Sequence, residues 1–323
     1  MEHERFILTL LQLPKVGRKS AWKIVKSQQD IARSVNELFD VVSATPGAPK
    51  VSYPEVERAW EDAEATLTDA KKKNIDVLAA TRPDFPAWLK EIPDPPIILF
   101  IKGNRECIST PMGVAVIGTR EPTDYGRKVA HRFGQRGAEA GYVVISGLAA
   151  GCDSEAHAGC LDAGGKTVAV LAHGLDRIYP KSSEALAHEI IEKNGCWISE
   201  YAPGVRAQRS HFVERDRLQS GLASGVIVVE TDVDGGTMHT VRFAEDQGRP
   251  LAALSHPPDL IAFDKTRGNL MLIQAKRAKP LKEADDFKDF VSAVREAATR
   301  WIFMIDNMDV ATKASEPPSE PKP

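Results

Sequence analysis

Long apolar runs are missing from this 323-residue chain. No stretch approaches the roughly 20 apolar residues that cross a bilayer. The amino terminus, Met1-Glu-His-Glu-Arg5, carries charges of both signs and lacks the apolar region of a secretory signal. The expectation is a cytoplasmic protein without a membrane partner. Cysteine is scarce: Cys107, Cys152, Cys160 and Cys196 are scattered and form no CxxC pair. They read as reduced thiols packed like small apolar residues. Excess positive charge is absent too, with 42 Lys and Arg against 45 Asp and Glu and a net charge of −3. Nucleic-acid binding would therefore need a local basic surface, for which a few well-placed Arg and Lys suffice. Neither common nucleotide fingerprint occurs. Gly147-Leu-Ala-Ala-Gly151 has the wrong spacing for GxGxxG, and there is no GxxxxGK[ST]. Readings as an NAD enzyme or a P-loop ATPase thereby lose their main support, and no cofactor is expected.

The composition is that of a chain able to bury a core, 42% hydrophobic and 27% charged. Its length favours a main domain plus an accessory one. Residues 1–70 show helical periodicity in Phe6, Leu10, Leu13, Trp22 and Val25, then in Val56, Trp60, Ala63 and Leu67. Residues 71–290 alternate β-rich and helix-length segments, the pattern of a parallel sheet. The runs Val114–Ile117, Tyr142–Ile145, Thr167–Leu171, Trp197–Ser199 and Val226–Val229 are apolar without strict alternation, as in strands covered on both faces. Residues 291–323 are expected to hold the end of an amphipathic helix (Phe287 to Ile305) and, from Thr312, a polar tail unable to fold alone. The fold class is thus α/β: a Rossmann-like, mostly parallel sheet with helices on both faces, preceded by a small helical domain.

Ligands of such sheets bind outside the carboxyl ends of the strands. The first strand ends in Gly118-Thr119-Arg120, the second in Ser146-Gly147-Leu-Ala-Ala-Gly151 and the fifth in Glu230 to Gly235-Gly236-Thr237. Glycine lets amides approach an anion, and a helix start adds partial positive charge. The loops at Ser146–Gly151 and Gly235–Thr237 are therefore candidate phosphate cradles, the alternative being that their glycines only permit tight turns. Arg120 follows a strand end, where its planar fork suits a phosphate. Asp153 and His157, four residues apart, suit a helix-start hydrogen-bonding pair more than a metal site, since no third ligand is evident.

The ordered series Gly118-Thr-Arg120, Ser146-Gly-Leu-Ala-x-Gly-x-Asp153-x-x-x-His157, Gly174-Leu-Asp-x-x-Tyr-Pro180, Phe212-x-x-Arg-Asp-Arg217 and Gly236-Thr237 resembles the DprA/Smf family of DNA-processing proteins. Upstream, Arg82-Pro-Asp-Phe-Pro and Ile92-Pro-Asp-Pro-Pro also match, and the likeness spans about residues 5 to 290. The resemblance implies a non-enzymatic protein that binds single-stranded DNA, helps load a RecA-type recombinase onto it and forms a homodimer. It points to Arg120 and Lys166 as phosphate contacts, with Arg215 and Arg217 beside them, while Tyr179 and Phe212 are candidate rings for base stacking, the alternative for each being a core position. Asp216 stands where the family usually has Asn, and a carboxylate between two guanidiniums is expected to form an internal ion pair. Leu11 to Val25 resembles a helix-hairpin-helix (SAM-like) unit, with Lys15, Gly17, Arg18 and Lys19 as DNA contacts; a packing cap is the equal alternative. The family often ends in a winged helix, which is not expected here.

Two other functions fit the same loops. One is sensing of a small nucleotide. The other is hydrolysis of nucleoside monophosphates, as in phosphoribohydrolases of the same superfamily. Their catalytic glutamate is replaced by Thr240 in Gly235-Gly-Thr-Met-His-Thr240, leaving only Glu200 and Glu230 as stand-ins.

Overall fold

The computed structural model describes residues 1–261, 263–282 and 284–314. Four helices open the chain: α1 (Glu2–Gln12), α2 (Arg18–Lys26), α3 (Val35–Ala44) and α4 (Tyr53–Lys72). Glu55 starts α4 by reaching back to the Ser52 amide (2.7 Å), a capping box completed by Pro54 in the first turn. The buried positions Val56, Ala59, Ala63, Leu67 and Ala70 then fall on one helix face, as their three- and four-residue spacing requires.

After α4 come β1 (Asp76–Ala79), the short α5 (Ala87–Lys90) and β2 (Ile98–Gly103). The strands β3 (Gly113–Ile117), β4 (Val143–Ser146), β5 (Thr167–Val170) and β6 (Cys196–Ser199) follow, separated by α6 (Asp124–Glu139), α7 (Cys152–Asp162) and α8 (Glu184–Glu192). The chain continues through α9 (Arg209–Leu222), β7 (Val226–Val228), α10 (Thr237–Asp246), β8 (Leu251–Leu254), α11 (Asp264–Gln274), β9 (Lys279–Leu281) and α12 (Ala284–Ala314).

Among the described residues these strands form one sheet in the order β1-β2-β6-β5-β4-β3-β7-β8-β9. All pairs are parallel except those of β2 with β1 and β6. From β3 the chain builds outward through β4 and β5 to β6, then returns to build β7, β8 and β9 on the other side. That reversal between β3 and β7 opens a crevice at their carboxyl ends. One buried cluster runs without a break from Phe6, Leu38 and Val56 in the helices to Phe100, Val170 and Ile198 of the sheet. The other face packs Val114, Val116 and Ile227 against Phe133, Ala156 and Phe290.

The carboxyl end differs from expectation. Residues Thr312 to Ala314, expected in the polar tail, continue α12, a helix that includes the expected Phe287 to Ile305 segment and that Phe287, Phe290 and Val294 anchor to the sheet. Ala311 and Ala314 carry high helix propensity, which outweighs the polar neighbours. The rest of the expected polar tail, 315–323, lies outside the described residues. All four cysteines are free and buried. No described helix is long and apolar enough to cross a membrane.

Candidate phosphate-binding cleft

A cleft of about 1070 Å³ occupies the crevice beyond β3 and β7. Gly118, Thr119 and Arg120 form one wall, and Gly235, Gly236 and Thr237 another. The first turn of α10 leaves orphan amides by helix geometry. Gly235 donates to Asp232 O (3.1 Å), while Met238 and His239 donate to Gly235 O and Gly236 O. The amides of Gly236 and Thr237 are left without a protein acceptor among the described residues. Asp232 and Asp234 also line this side, so the cradle is narrow in sign as well as in space.

Arg120 is exposed and has no ion-pair partner among the described residues. Its guanidinium lies over the Phe212 ring, 5.1 Å from the centroid, and Tyr179 lies 5.9 Å from the same ring at 49% exposure. An aromatic face that holds a guanidinium without neutralising it keeps the charge available. Arg215 reaches the cleft from α9 but is buried. Its Nη1 donates to Val170 O (2.8 Å), and its Nε stands 3.2 Å from Asp216 Oδ1. Arg177, Arg206, Arg209 and Lys265 complete the basic lining. Sequence motifs did not single these out, although Arg206 and Arg209 follow a strand end, which is the signal that could have found them.

Several expectations are corrected. In the Ser146–Gly151 loop and the helix start after it several polar groups are taken internally, although Ala149 lines the cleft. Ser146 Oγ donates to Val116 O, Cys152 N to Thr119 O, Ser154 N to Ala149 O, and Gly147 N to Asp153 Oδ2 (3.1 Å). Its glycines make room instead. A Cβ on Gly147 would sit 1.5 Å from Arg215 Nη1, and one on Gly151, at φ +85°, would sit 2.6 Å from the Arg120 carbonyl. Lys166 precedes β5 and so lies at the amino edge of the sheet, opposite the cleft, with Nζ 3.9 Å from Glu106. Arg217 faces the interior at 2% exposure. It donates to both oxygens of Glu200 (2.6 and 2.8 Å) and to Asp94 O (2.8 Å). Asp216 forms the expected internal ion pair, with Arg215 (Nε to Oδ1 3.2 Å).

Arg18 also departs from expectation. Its guanidinium is bidentate to Asp94 and lies 3.6 Å from Glu200, which docks α2 on the sheet domain. Lys15, Gly17 and Lys19 remain exposed. Asp153 and His157 do not pair with each other; His157 Nδ1 meets Thr167 Oγ1 (2.6 Å), and burial pushes its imidazole down to about 3. The glutamates considered as catalytic stand-ins are engaged away from the cleft. Glu200 holds Arg217, and the fully buried Glu230 accepts from Thr123 N and Oγ1 (2.8 and 2.6 Å).

The sequence model of the DNA recombination-mediator protein A family matches residues 76–292. DNA processing protein DprA of Bacillus subtilis is 34% identical over 232 residues, 72% of this chain and 76% of that protein. Protein Smf of Synechocystis is 37% identical over 197 residues, 60% of this chain and 49% of that protein, so the chain spans about half of that relative's length. The crystal structure of DprA from Streptococcus pneumoniae superposes with a TM-score of 0.73 at 29% identity, covering 88% of this chain and 96% of that one. DprA from Helicobacter pylori, described for its single-stranded DNA binding mode, gives 0.60 at 26% identity over 69% of this chain and 96% of its own. The chain belongs to the DNA recombination-mediator protein A family, that of the DprA and Smf proteins.

Proposed function

We propose that this protein binds single-stranded DNA, holding backbone phosphates in the β3/β7 cleft, and presents the strand to a RecA-type recombinase. The observation that carries this reading is Arg120: a charged, unpaired guanidinium resting on Phe212, opposite the open amides of Gly236 and Thr237. Phe212 and Tyr179 supply ring faces on which bases of any identity stack, as sequence-independent strand binding requires. The single-stranded DNA binding described for the Helicobacter pylori relative supports the same assignment. The reading includes a homodimer in the cytoplasm and no catalytic step, with the α1–α4 segment serving as a packing cap.

The test is a gel shift with single- and double-stranded oligonucleotides. Wild type is expected to retain single strands, Arg120→Ala to lose at least tenfold in affinity, and Lys166→Ala, at the far edge of the sheet, to bind as wild type. Equal binding by wild type and Arg120→Ala would refute the site. A salt titration separates a strand from a small nucleotide, since contact with several phosphates gives a steep slope and one nucleotide a shallow one.

A further inference from the structure

Two carboxyls and one guanidinium meet at the floor of the cleft. Asp153, in the first turn of α7, is 5% exposed and accepts the Gly147 N–H (3.1 Å). Asp216, on α9, is 9% exposed, with Oδ1 3.2 Å from Arg215 Nε. Between them, Gln219 in its satisfied orientation donates to Asp216 Oδ1 (3.0 Å) and accepts from Gly147 N (2.8 Å). Arg215 is the buried cation acting on both acids. With both acids ionised, this floor carries one negative charge too many, in a place where unpaired charge is costly.

Among the described residues no second buried cation stands at this floor; Arg177, Arg206, Arg209 and Lys265 line the same cleft but none of them is buried. Arg120, from the loop after β3, attracts Asp216 from the solvent side. His173, from the loop after β5, is buried with Nδ1 at 3.0 Å from Gly174 O, and burial holds its imidazole below the usual range, hence neutral. The loop after β7 adds only Asp232 and Asp234. A bound proton neutralises the floor without a second buried cation.

We propose that Asp153 and Asp216 share a single proton when the cleft holds a phosphate, so that Asp216 sets the pH above which phosphate binding weakens. This rests on the cleft being the phosphate site. Burial raises both acids, Asp216 to about 7 against the pull of Arg215, with the Asp153 charge adding to the rise. The proton comes from solvent onto a carboxylate oxygen, and no other bond changes. Protonated, Asp216 is the charge equivalent of an amide, and Arg215 and Arg120 present their full positive potential. Ionised, it cancels part of that potential within the site. By linkage, binding that takes up one proton weakens by up to tenfold per pH unit above the acid's pKa.

The experiment measures anisotropy of a labelled oligothymidylate with the full chain at constant ionic strength, from pH 5.5 to 8.5, for wild type, Asp216→Asn and Asp153→Asn. Wild-type affinity is expected to fall roughly tenfold between pH 7 and 8.5. Asp216→Asn should give a flat profile and tighter binding at pH 8. Should Asp216→Asn fail to fold, Asp153→Asn decides, because removing the other acid also removes the shared proton and flattens the profile. Wild type and both variants binding with the same pH profile overturns the proposal and leaves the cleft assignment standing. No binding by any protein at any pH overturns the cleft assignment, and the proposal with it. Repeating the titration with pyrophosphate distinguishes a free phosphoanion from a strand. A pH-dependent affinity for both probes, or for the oligonucleotide alone, agrees with the proposal; a flat profile for both refutes it.

Discussion

Truncating Arg217 to alanine removes a guanidinium that donates to Glu200 Oε1 and Oε2, to Asp94 O and to Glu214 O, at 2.6 to 2.8 Å. The side chain is 2% exposed and Glu200 11%, so water cannot replace the lost donors. Removing one partner of a buried pair costs about 3–5 kcal/mol. Glu200 keeps Arg18 at 3.6 Å as a partial substitute, which places the loss near the lower end. An unfolding entropy of about 2 cal/mol/K per residue, over a chain of this length, converts about 3 kcal/mol into a fall in melting temperature of roughly 5 °C. Urea denaturation and calorimetry would measure it, together with Glu200→Leu and the Arg217→Leu/Glu200→Leu double variant. The double variant is expected to be less destabilised than the two singles added together, because no charge is left alone in the interior. Folded Arg217→Ala should still bind oligonucleotide as wild type does, since the residue does not line the cleft. A melting shift under about 1 °C, or strict additivity in the double variant, would refute the reasoning.

Gly147→Ala places a methyl group on Arg215 Nη1; a loss of about 1–3 kcal/mol from overpacking is expected by denaturant titration, with weakened oligonucleotide binding. Arg18→Ala should free α2 from Asp94 and Glu200, seen as faster limited proteolysis between α1 and α3 while the sheet domain stays resistant. Asp216 takes its proton more readily folded than unfolded, its pKa rising from 3.8 to about 7. The stability this gives is present at low pH and lost as pH rises from about 4 to 7, and a loss of about 2–4 kcal/mol follows from the size of the shift. Asp216→Asn should remove that downward slope from a plot of unfolding free energy against pH, and an unchanged slope would contradict it.

The sheet was legible because its strands are buried on both faces and read as apolar runs, and because a loop of informative composition follows each one. Gly118-Thr119-Arg120 and Gly235-Gly236-Thr237 stand at the cleft for that reason. The side chains behind them were less legible, because small offsets invert their surroundings. Lys166 lies one residue before a strand, where a residue just past its end would reach the ligand edge, and the length of β5 separates the two edges. Arg215 and Arg217 are two residues apart on α9, which turns them about 200° from each other, one toward the cleft and the other into the sheet. The Ser146–Gly151 loop has the composition of an anion cradle, but Asp153 already holds the Gly147 donor, and Thr119 O and Ala149 O hold those of Cys152 and Ser154 just after it. Whether an amide is free is a property of its partners in space, which local composition does not encode.

Glu200 stands at the end of β6 and grips Arg18 of α2 and Arg217 of α9 together. The helix that carries Phe212 and Arg215 into the cleft is thus pinned on its far side to the same carboxylate that moors the amino-terminal helices. The division of labour is geometric: one flank of α9 is a fixed hinge plate and the other a working surface. Residues on the working flank, Asp216 among them, can change without loosening the plate. A force that lifted α2 would instead reach the wall of the cleft through the two acids, Glu200 and Asp94, that both arginines share.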